Sequence, residues 1–270
     1  MIPYSEIEAE SLKMGVSPQT LEKDYHLDWY LTALWSSDLF PDFLFYGGTA
    51  IKKLYVFNHR FSEDLDLISR QSLSPEAIRQ ALDCAHRFLE KEANLFCFYR
   101  PDENLTAGTQ TRFVIHYRGF SEIGGIKRFL LDFAQGIEDL PKPVFKKFTS
   151  RYRDLGGREV KVRAMPLEVI CAEKLALIVD RKRKEPRDIY DLWAVFMQVK
   201  KFDPLQFMTQ YKKRLGYSTE FSIVRSSLKD SEFRSAWELR LRHQVPDLPN
   251  FDVVNLELTE KLKQLWQPSK

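Results

Sequence analysis

The sequence predicts an α+β fold, with a mixed sheet flanked by helices in the N-terminal half and a helical C-terminal half. Two observations carry the prediction. Strand-length apolar or alternating runs are interleaved with helical stretches as far as Ala164, and from Pro166 onward the periodicity is almost wholly helical. The size agrees: 270 residues, 44% hydrophobic and 29% charged, suffice for one large domain or two modest ones with a full core. The change of pattern places a soft boundary near residue 160, giving regions 1–160 and 161–270.

Each element has its own signal. Ser17-Pro18 joins an N-cap to a first-turn proline, and Leu21, Leu27, Leu31, Leu34 and Trp35 then mark a buried stripe reaching Ser36. Phe43 to Tyr46 reads as a short strand stopping at Gly47-Gly48, with Thr49 placed to cap a helix through Val56. Asp64 to Ile68 alternates carboxylate and leucine with the two-residue period of a strand. Ser74-Pro75 repeats the helix-start signal, continued by Ile78, Leu82, Ala85 and Leu89. Leu95–Tyr99, Arg112–Tyr117, Arg128–Ala134 and Glu159–Ala164 read as further strands, with Phe113, Ile115 and Tyr117 on one face. Arg151 to Arg158 is a charged connection containing glycine.

Composition removes several function classes. A net charge of +3 is only mildly basic, so nucleic acid is not indicated by charge alone. Cys84, Cys97 and Cys171 show no CxxC spacing, which argues for a reducing compartment and against a thiolate zinc site. The five histidines are dispersed and form no HxxxH or HExxH cluster. No run approaches the roughly 18 apolar residues of a membrane span. The acidic start MIPYSEIEAESLKMG is not a signal peptide. A cytoplasmic protein without a membrane partner is expected.

Three features of the N-terminal half bear on chemistry. Glycine after a strand lets backbone N–H groups approach a bulky anion, and the helix after Gly47-Gly48-Thr49 offers a positive dipole end for phosphate. Taken alone, the same residues describe a plain turn. In Asp64-Leu65-Asp66-Leu67, residues two apart project from one strand face with Cα atoms roughly 6.5 Å apart. Two carboxylates so held can bracket Mg²⁺ ions about 3.5–4 Å apart, whereas an isolated DxD also suits an edge strand with a solvated acidic face. Asp132 lies within Phe129-Leu130-Leu131-Asp132-Phe133-Ala134, where an ionised carboxylate needs a cation. It completes a three-carboxylate site if its strand lies beside Asp64–Asp66; otherwise it pairs with Arg112 or Lys127.

Phe45-Tyr46-Gly47-Gly48-Thr49-Ala50-Ile51, a helix, and then Arg60-Phe61-Ser62-Glu63-Asp64-Leu65-Asp66-Leu67 together resemble the DNA-polymerase-β-like nucleotidyltransferase superfamily. Within it the chain is similar to the AbiEii/AbiGii-type abortive-infection toxins of bacterial toxin–antitoxin systems. Leu21-Glu22-Lys23-Asp24-Tyr25, Ala172-Glu173-Lys174-Leu175 and Arg187-Asp188-Ile189-Tyr190-Asp191-Leu192 add to the likeness, which spans roughly residues 18 to 195. The resemblance implies a nucleotidyltransferase catalytic domain over 1–160 and a helical domain over 161–270 that completes an active-site cleft. It implies two Mg²⁺ ions held by Asp64, Asp66 and Asp132, and an NTP contacted by Gly47, Gly48, Thr49, Ser62, Lys174 and Asp191. Some relatives are silenced by phosphorylation at a serine in the position of Ser62; a hydroxyl capping the loop is the simpler role here.

In the helical half, Leu167, Ile170, Cys171, Leu175 and Ile178 form one apolar stripe at about 100° per residue. Lys174 falls inside that stripe and must snorkel, pair or reach into a cleft. The resemblance makes it a nucleotide contact. Asp180 to Arg187 reads as a solvated charge run with capacity for RNA phosphate. Asp188 and Asp191 open a helix with Ile189, Leu192, Trp193 and Phe196 on its buried face. By the resemblance one of these aspartates is needed for activity, Asp188 being favoured as the residue orienting Lys174 or a base. Arg234, Arg240, Arg242 and Trp237 suit either an RNA-docking surface or an ordinary amphipathic helix.

The expected activity is transfer of a nucleoside monophosphate from an NTP to an acceptor hydroxyl. The catalytic residues are Asp64, Asp66, Asp132, Lys174 and Asp188. The resemblance suggests the 3′ end of tRNA as acceptor and a cognate antitoxin as partner. The alternatives are nucleotidylation of a protein or small molecule, and a nucleotide-binding regulator without turnover.

Overall fold

A computed structural model of the chain describes residues 1–120, 125–180 and 184–266. They form two compact units, one of Met1–Leu54 with Phe61–Met165 and the other of Tyr55–Arg60 with Pro166–Lys270.

The first unit is built on one eight-stranded sheet: β1 (Leu44–Tyr46), β2 (Asp64–Ile68), β3 (Cys97–Tyr99), β4 (Leu105–Ala107), β5 (Gln110–Arg118), β6 (Ile126–Ala134), β7 (Val144–Phe148) and β8 (Val160–Ala164). The order is β3-β5-β6-β2-β1-β8-β7, with β4 paired to β5. β1–β8 and β2–β6 are parallel and the other pairs antiparallel, so the sheet is mixed as expected. Register divides its two faces cleanly. Leu65 sits beside Leu131, which sits opposite Phe113; all three are buried. One residue along, Asp66 sits beside Asp132, which sits opposite Arg112, on the other face.

Two strands escape the sequence reading for a physical reason. β4 is exposed at all three positions, and β7 buries only Phe148, so neither carries a long apolar pattern. The helices of this unit are α1 (Tyr4–Met14), α2 (Pro18–Ser36), α3 (Gly47–Ala50, continuing as a π-helical turn over Ile51–Tyr55) and α4 (Pro75–Ala93). Both expected serine caps form: Ser17 Oγ accepts from the Thr20 N–H and Ser74 Oγ from the Ala77 N–H, each at 3.1 Å. Thr49, by contrast, does not cap its helix. It is the third helical residue, and its hydroxyl turns toward the segment leading into β2.

α2 is buried almost all round rather than along a stripe, because three carboxylates inside it are each satisfied. Glu22 accepts from the Phe120 N–H at 2.9 Å and from Lys127 at 2.5 Å. Asp24 accepts from Lys53 at 2.7 Å and from the Tyr152 hydroxyl at 3.1 Å. Asp28 pairs with the same Lys53 and accepts from Ser150 at 2.6 Å. Lys53 thus bridges two buried carboxylates and ties α2 to the turn after Gly47-Gly48.

The second unit holds α5 (Leu167–Val179), α6 (Pro186–Gln198), α7 (Pro204–Leu215), α8 (Phe221–Leu228), α9 (Ser231–Leu241) and α10 (Phe251–Trp266). The predicted stripe of α5 is buried throughout. On α6, Ile189, Leu192, Ala194 and Val195 are buried, whereas Trp193 and Phe196 are half-buried and Trp193 Nε1 donates to Glu257 at 2.7 Å. Among the described residues no helix is long and apolar enough to cross a membrane, and Cys84, Cys97 and Cys171 are free thiols.

The buried charges predict an acid response. Burial pushes Asp24 up, but Lys53 and Lys52 outweigh it and hold its carboxyl down at about 2, below the ordinary 3.8. The stability it contributes is therefore fully present above about pH 4 and lost as the pH falls toward 2. Urea unfolding followed across that range should show a shallower acid decline in Asp24→Asn than in the parent chain; equal declines would contradict the assignment.

Candidate active site

The site builds from the strand ends around β2. Asp64 and Asp66 project from one face of β2, both half-buried, while Leu65 and Leu67 are fully buried beneath them. The parallel pairing of β2 with β6 sets Asp132 level with Asp66, so the three carboxylates share one face of two adjacent strands. On the far side of β2, Tyr46 of β1 is level with Asp66. One row across four strands therefore reads Tyr46, Asp66, Asp132, Arg112.

Gly47 follows Tyr46 with φ +79°, a left-handed conformation that favours glycine. A Cβ there would lie 2.2 Å from Asp66 Oδ2. The carboxylate occupies the space that any other residue's side chain would need, which is the reason this turn is glycine. Thr49 Oγ1 stands 2.6 Å from Ser62 Oγ, to which it donates, and reaches the main-chain carbonyl of Asp64. That contact buries Ser62, only 8% exposed, and fixes the approach of the chain to β2. A phosphate on Ser62 requires this contact to open.

The third carboxylate has a partner of its own. Arg112 Nε and Nη2 donate to Asp132 Oδ1 and Oδ2, each at 2.7 Å, in a two-pronged pair. The hydrogen bonds that Arg112 donates to Asp132, opposed by some desolvation, and the charges of Asp132, Asp64 and Asp66 raise the guanidinium above its ordinary value. Both readings of Asp132 thus meet in one geometry: it lies beside the Asp64–Asp66 pair, and it is engaged by Arg112. Lys127 is committed to Glu22 instead. Among the described residues no three acidic, histidine or cysteine side chains close on a common point. The trio is a shared face rather than a finished cage.

Lys174, Asp188 and Asp191 come together in the second unit, with His59, Arg60 and Gln244. Lys174 Nζ lies 2.8 Å from Asp188 Oδ1 and 2.7 Å from Asp191 Oδ2. Arg60 donates through Nε and Nη2 to Asp191 at 2.6 and 2.9 Å, and through Nη1 to Gln244 at 2.9 Å. His59 Nε2 lies 3.1 Å from Asp191 Oδ1. Burial raises the Asp191 carboxyl, but Arg60, Lys174 and His59 outweigh it and hold it well below the usual carboxylate range. Burial lowers Lys174, but Asp188 and Asp191 outweigh it and keep the ammonium charged. Lys174 therefore neither snorkels nor covers the core with an idle stem: it pairs. His59 was not singled out in the sequence, since a lone histidine in a polar loop carries no periodic signal.

Of the remaining sequence candidates, Arg181, Lys182 and Arg183 of the charge run lie outside the described residues. Trp237 is buried and donates to the Pro249 carbonyl at 2.9 Å, so it is not available to stack on a base. Arg234 pairs with Asp252, and Arg242 lies 3.3 Å from Glu238.

Comparison with known proteins adds to this geometry. The profile of the family described as "Nucleotidyl transferase AbiEii toxin, Type IV TA system" matches residues 29–263. No curated protein sequence matches the chain. Among solved structures, MenT4, a nucleotidyltransferase toxin from Mycobacterium tuberculosis H37Rv, is 17% identical with a TM-score of 0.63, over 100% of this chain and 91% of its own. At that identity the likeness is one of fold. An antigenic nucleotidyltransferase-like protein from Paracoccidioides brasiliensis is 18% identical over 80% of this chain and 93% of its own, and its TM-score of 0.37 carries no argument.

Two outcomes test this geometry. Gly47→Ala must displace the Asp66 carboxylate and adopt a strained φ, so it should cost about 1–3 kcal/mol of stability. The misplaced carboxylate should slow the reaction about 100-fold, read by parallel melting and turnover assays; wild-type turnover would show that Asp66 does not need its present position. Lys174→Ala strands two buried carboxylates and should cost about 3–5 kcal/mol, measured as a fall in the urea midpoint.

Proposed function

We propose, on the premise that this chain belongs to the AbiEii family of nucleotidyltransferase toxins of type IV toxin–antitoxin systems, that it transfers a nucleoside monophosphate from an NTP to the 3′ end of tRNA. The chain is a nucleotidyltransferase, and membership of the family implies a cognate antitoxin. The observation that carries the reading is the row in which Asp66 stands level with Asp132 and packs against a glycine turn.

The donor set fits a hard divalent cation. Asp64, Asp66 and Asp132 offer only carboxylate oxygens, the ligand type Mg²⁺ takes, from one face of two adjacent strands. Asp64 and Asp66 would hold two ions, with Asp132 sharing the one on the acceptor side. Bound Mg²⁺ would supply charge neutralisation at the phosphates and a more acidic acceptor hydroxyl. The turn from Gly47 to Thr49 would present backbone N–H groups to the triphosphate, with the Thr49–Ser62 contact keeping the turn against β2. The nucleotide role that the resemblance gives Lys174 and Asp191 is a separate proposal about the second unit, where Asp188 and Asp191 hold the Lys174 ammonium. In the reaction the acceptor oxygen forms a bond to the α-phosphorus and the bond to pyrophosphate breaks. The hydroxyl proton passes to solvent. No covalent enzyme intermediate is needed, and the side chains act by position and charge.

Incubating the protein with each labelled NTP, Mg²⁺ and total RNA tests the proposal. Label should enter tRNA and disappear by at least about 1,000-fold in Asp64→Ala and Asp66→Ala, the scale of losing an electrostatic anchor of the transition state. Label in protein would redirect the acceptor assignment, and bound but unconverted NTP would overturn transfer altogether.

A further inference from the structure

We infer that Arg112 is a latch on Asp132: it holds the third carboxylate away from the Asp64–Asp66 pair until a divalent cation displaces it. The inference rests on the metal reading of these carboxylates and adds a residue that neither the family match nor the fold assigns.

The two central members of the row are drawn in opposite directions. At one end Asp66 leans toward β1, its Oδ2 filling the space above Gly47. At the other end both Asp132 oxygens are engaged by the Arg112 fork on β5. Strand pairing sets their backbones side by side, yet the carboxylates do not converge. Metal binding by all three therefore needs a side-chain movement, and Asp132 is held by a solvent-exposed partner.

Exposure makes that partner exchangeable. The Arg112 side chain is 47% exposed and Asp132 20% exposed, so water competes for the pair in its present form. Ion pairs this open are individually weak, whereas a divalent cation held by the three carboxylates would be drawn by three opposite charges. Arg112 also stands in the field of Asp64 and Asp66, so in the absence of a cation it partly neutralises the whole face. Closing the latch stabilises the empty site; opening it assembles the full one. A purely structural cross-strand pair would affect stability and leave cation affinity unchanged.

Mn²⁺ binding followed by electron paramagnetic resonance, with a non-hydrolysable NTP analogue present, separates the two roles. If Asp132 is latched about nine-tenths of the time, apparent affinity at the weaker Mn²⁺ site is reduced about tenfold, and Arg112→Gln should recover that factor. Arg112→Lys, which keeps the charge and loses the fork, should recover part of it. In an Asp132→Asn background the Arg112→Gln gain should vanish. A gain that persists there would mean that Arg112 acts through its general field, and it would overturn the latch. Unchanged Mn²⁺ affinity in Arg112→Gln would overturn it as well. Should the parent chain bind no Mn²⁺ that depends on Asp64 and Asp66, the metal reading itself falls, a result distinct from loss of the latch alone. In the unmutated protein, the Arg112 Nε–H resonance should shift when Mg²⁺ is added and stay unmoved in Asp132→Asn.

Discussion

The parallel pairing of β2 with β6 is the constraint on which the candidate site depends. Residues level with one another on parallel neighbours point to the same face, so this single register decides that Asp66 meets Asp132 and that Leu65 meets Leu131. A slip of one residue would bury two carboxylates and expose two leucines. The apolar side of the register is enforced by Phe113, Leu131 and Leu65, all shielded from water. Hydrophobic burial on one face thus fixes the electrostatics of the other, and the acidic row costs nothing extra to align.

Placing the glycine turn is a second, separate task, and here the fold uses buried charge. The turn runs from Gly47 through a π-helical segment whose Lys53 lies between Asp24 and Asp28 of α2. A buried ion pair is a poor source of stability compared with well-packed apolar residues, but it is demanding about geometry. Lys53 has to meet two carboxylates at once, which limits where the turn can sit relative to α2. The hydroxyl of Thr49 holds the other edge of the turn to the chain entering β2. Gly47 is then left with no freedom to move away from Asp66.

Much of this was legible in the sequence. The alternation of carboxylate and leucine over Asp64–Ile68 needed only the strand period, and the apolar surroundings of Asp132 marked it as a charge requiring a partner. Lys174 stood out because it interrupts an apolar stripe, and its pairing follows from that burial. What stayed hidden has a common cause. The sequence offered both Arg112 and Lys127 as partners of Asp132, and only strand order decides for Arg112; Arg60 and Asp191 are 131 residues apart, and their pairing is a property of helix packing. β4 and β7 left little trace because edge strands need no apolar alternation. Trp237 misled for the opposite reason: a tryptophan among arginines on a helix looks like a stacking platform until its burial is known.

Two of the arginine–aspartate forks among the described residues, Arg60–Asp191 and Arg112–Asp132, are chemically alike and differ in burial. Arg60 and Asp191 are at most 3% exposed, and the carboxylate is further surrounded by Lys174 and His59. Exchanging any partner there would leave an uncompensated charge in a low-dielectric interior, so that fork is permanent. Arg112 and Asp132 sit at the open face of the sheet, where water can take over either group during an exchange. A permanent fork organises the helical unit around one ionised aspartate. On our proposal, an exchangeable fork beside two further carboxylates would make cation binding conditional, since the ion would compete with a guanidinium already in place. The same residue pair is thus framework in one unit and, on that proposal, a switchable ligand in the other, and the difference lies in the solvent that each can reach.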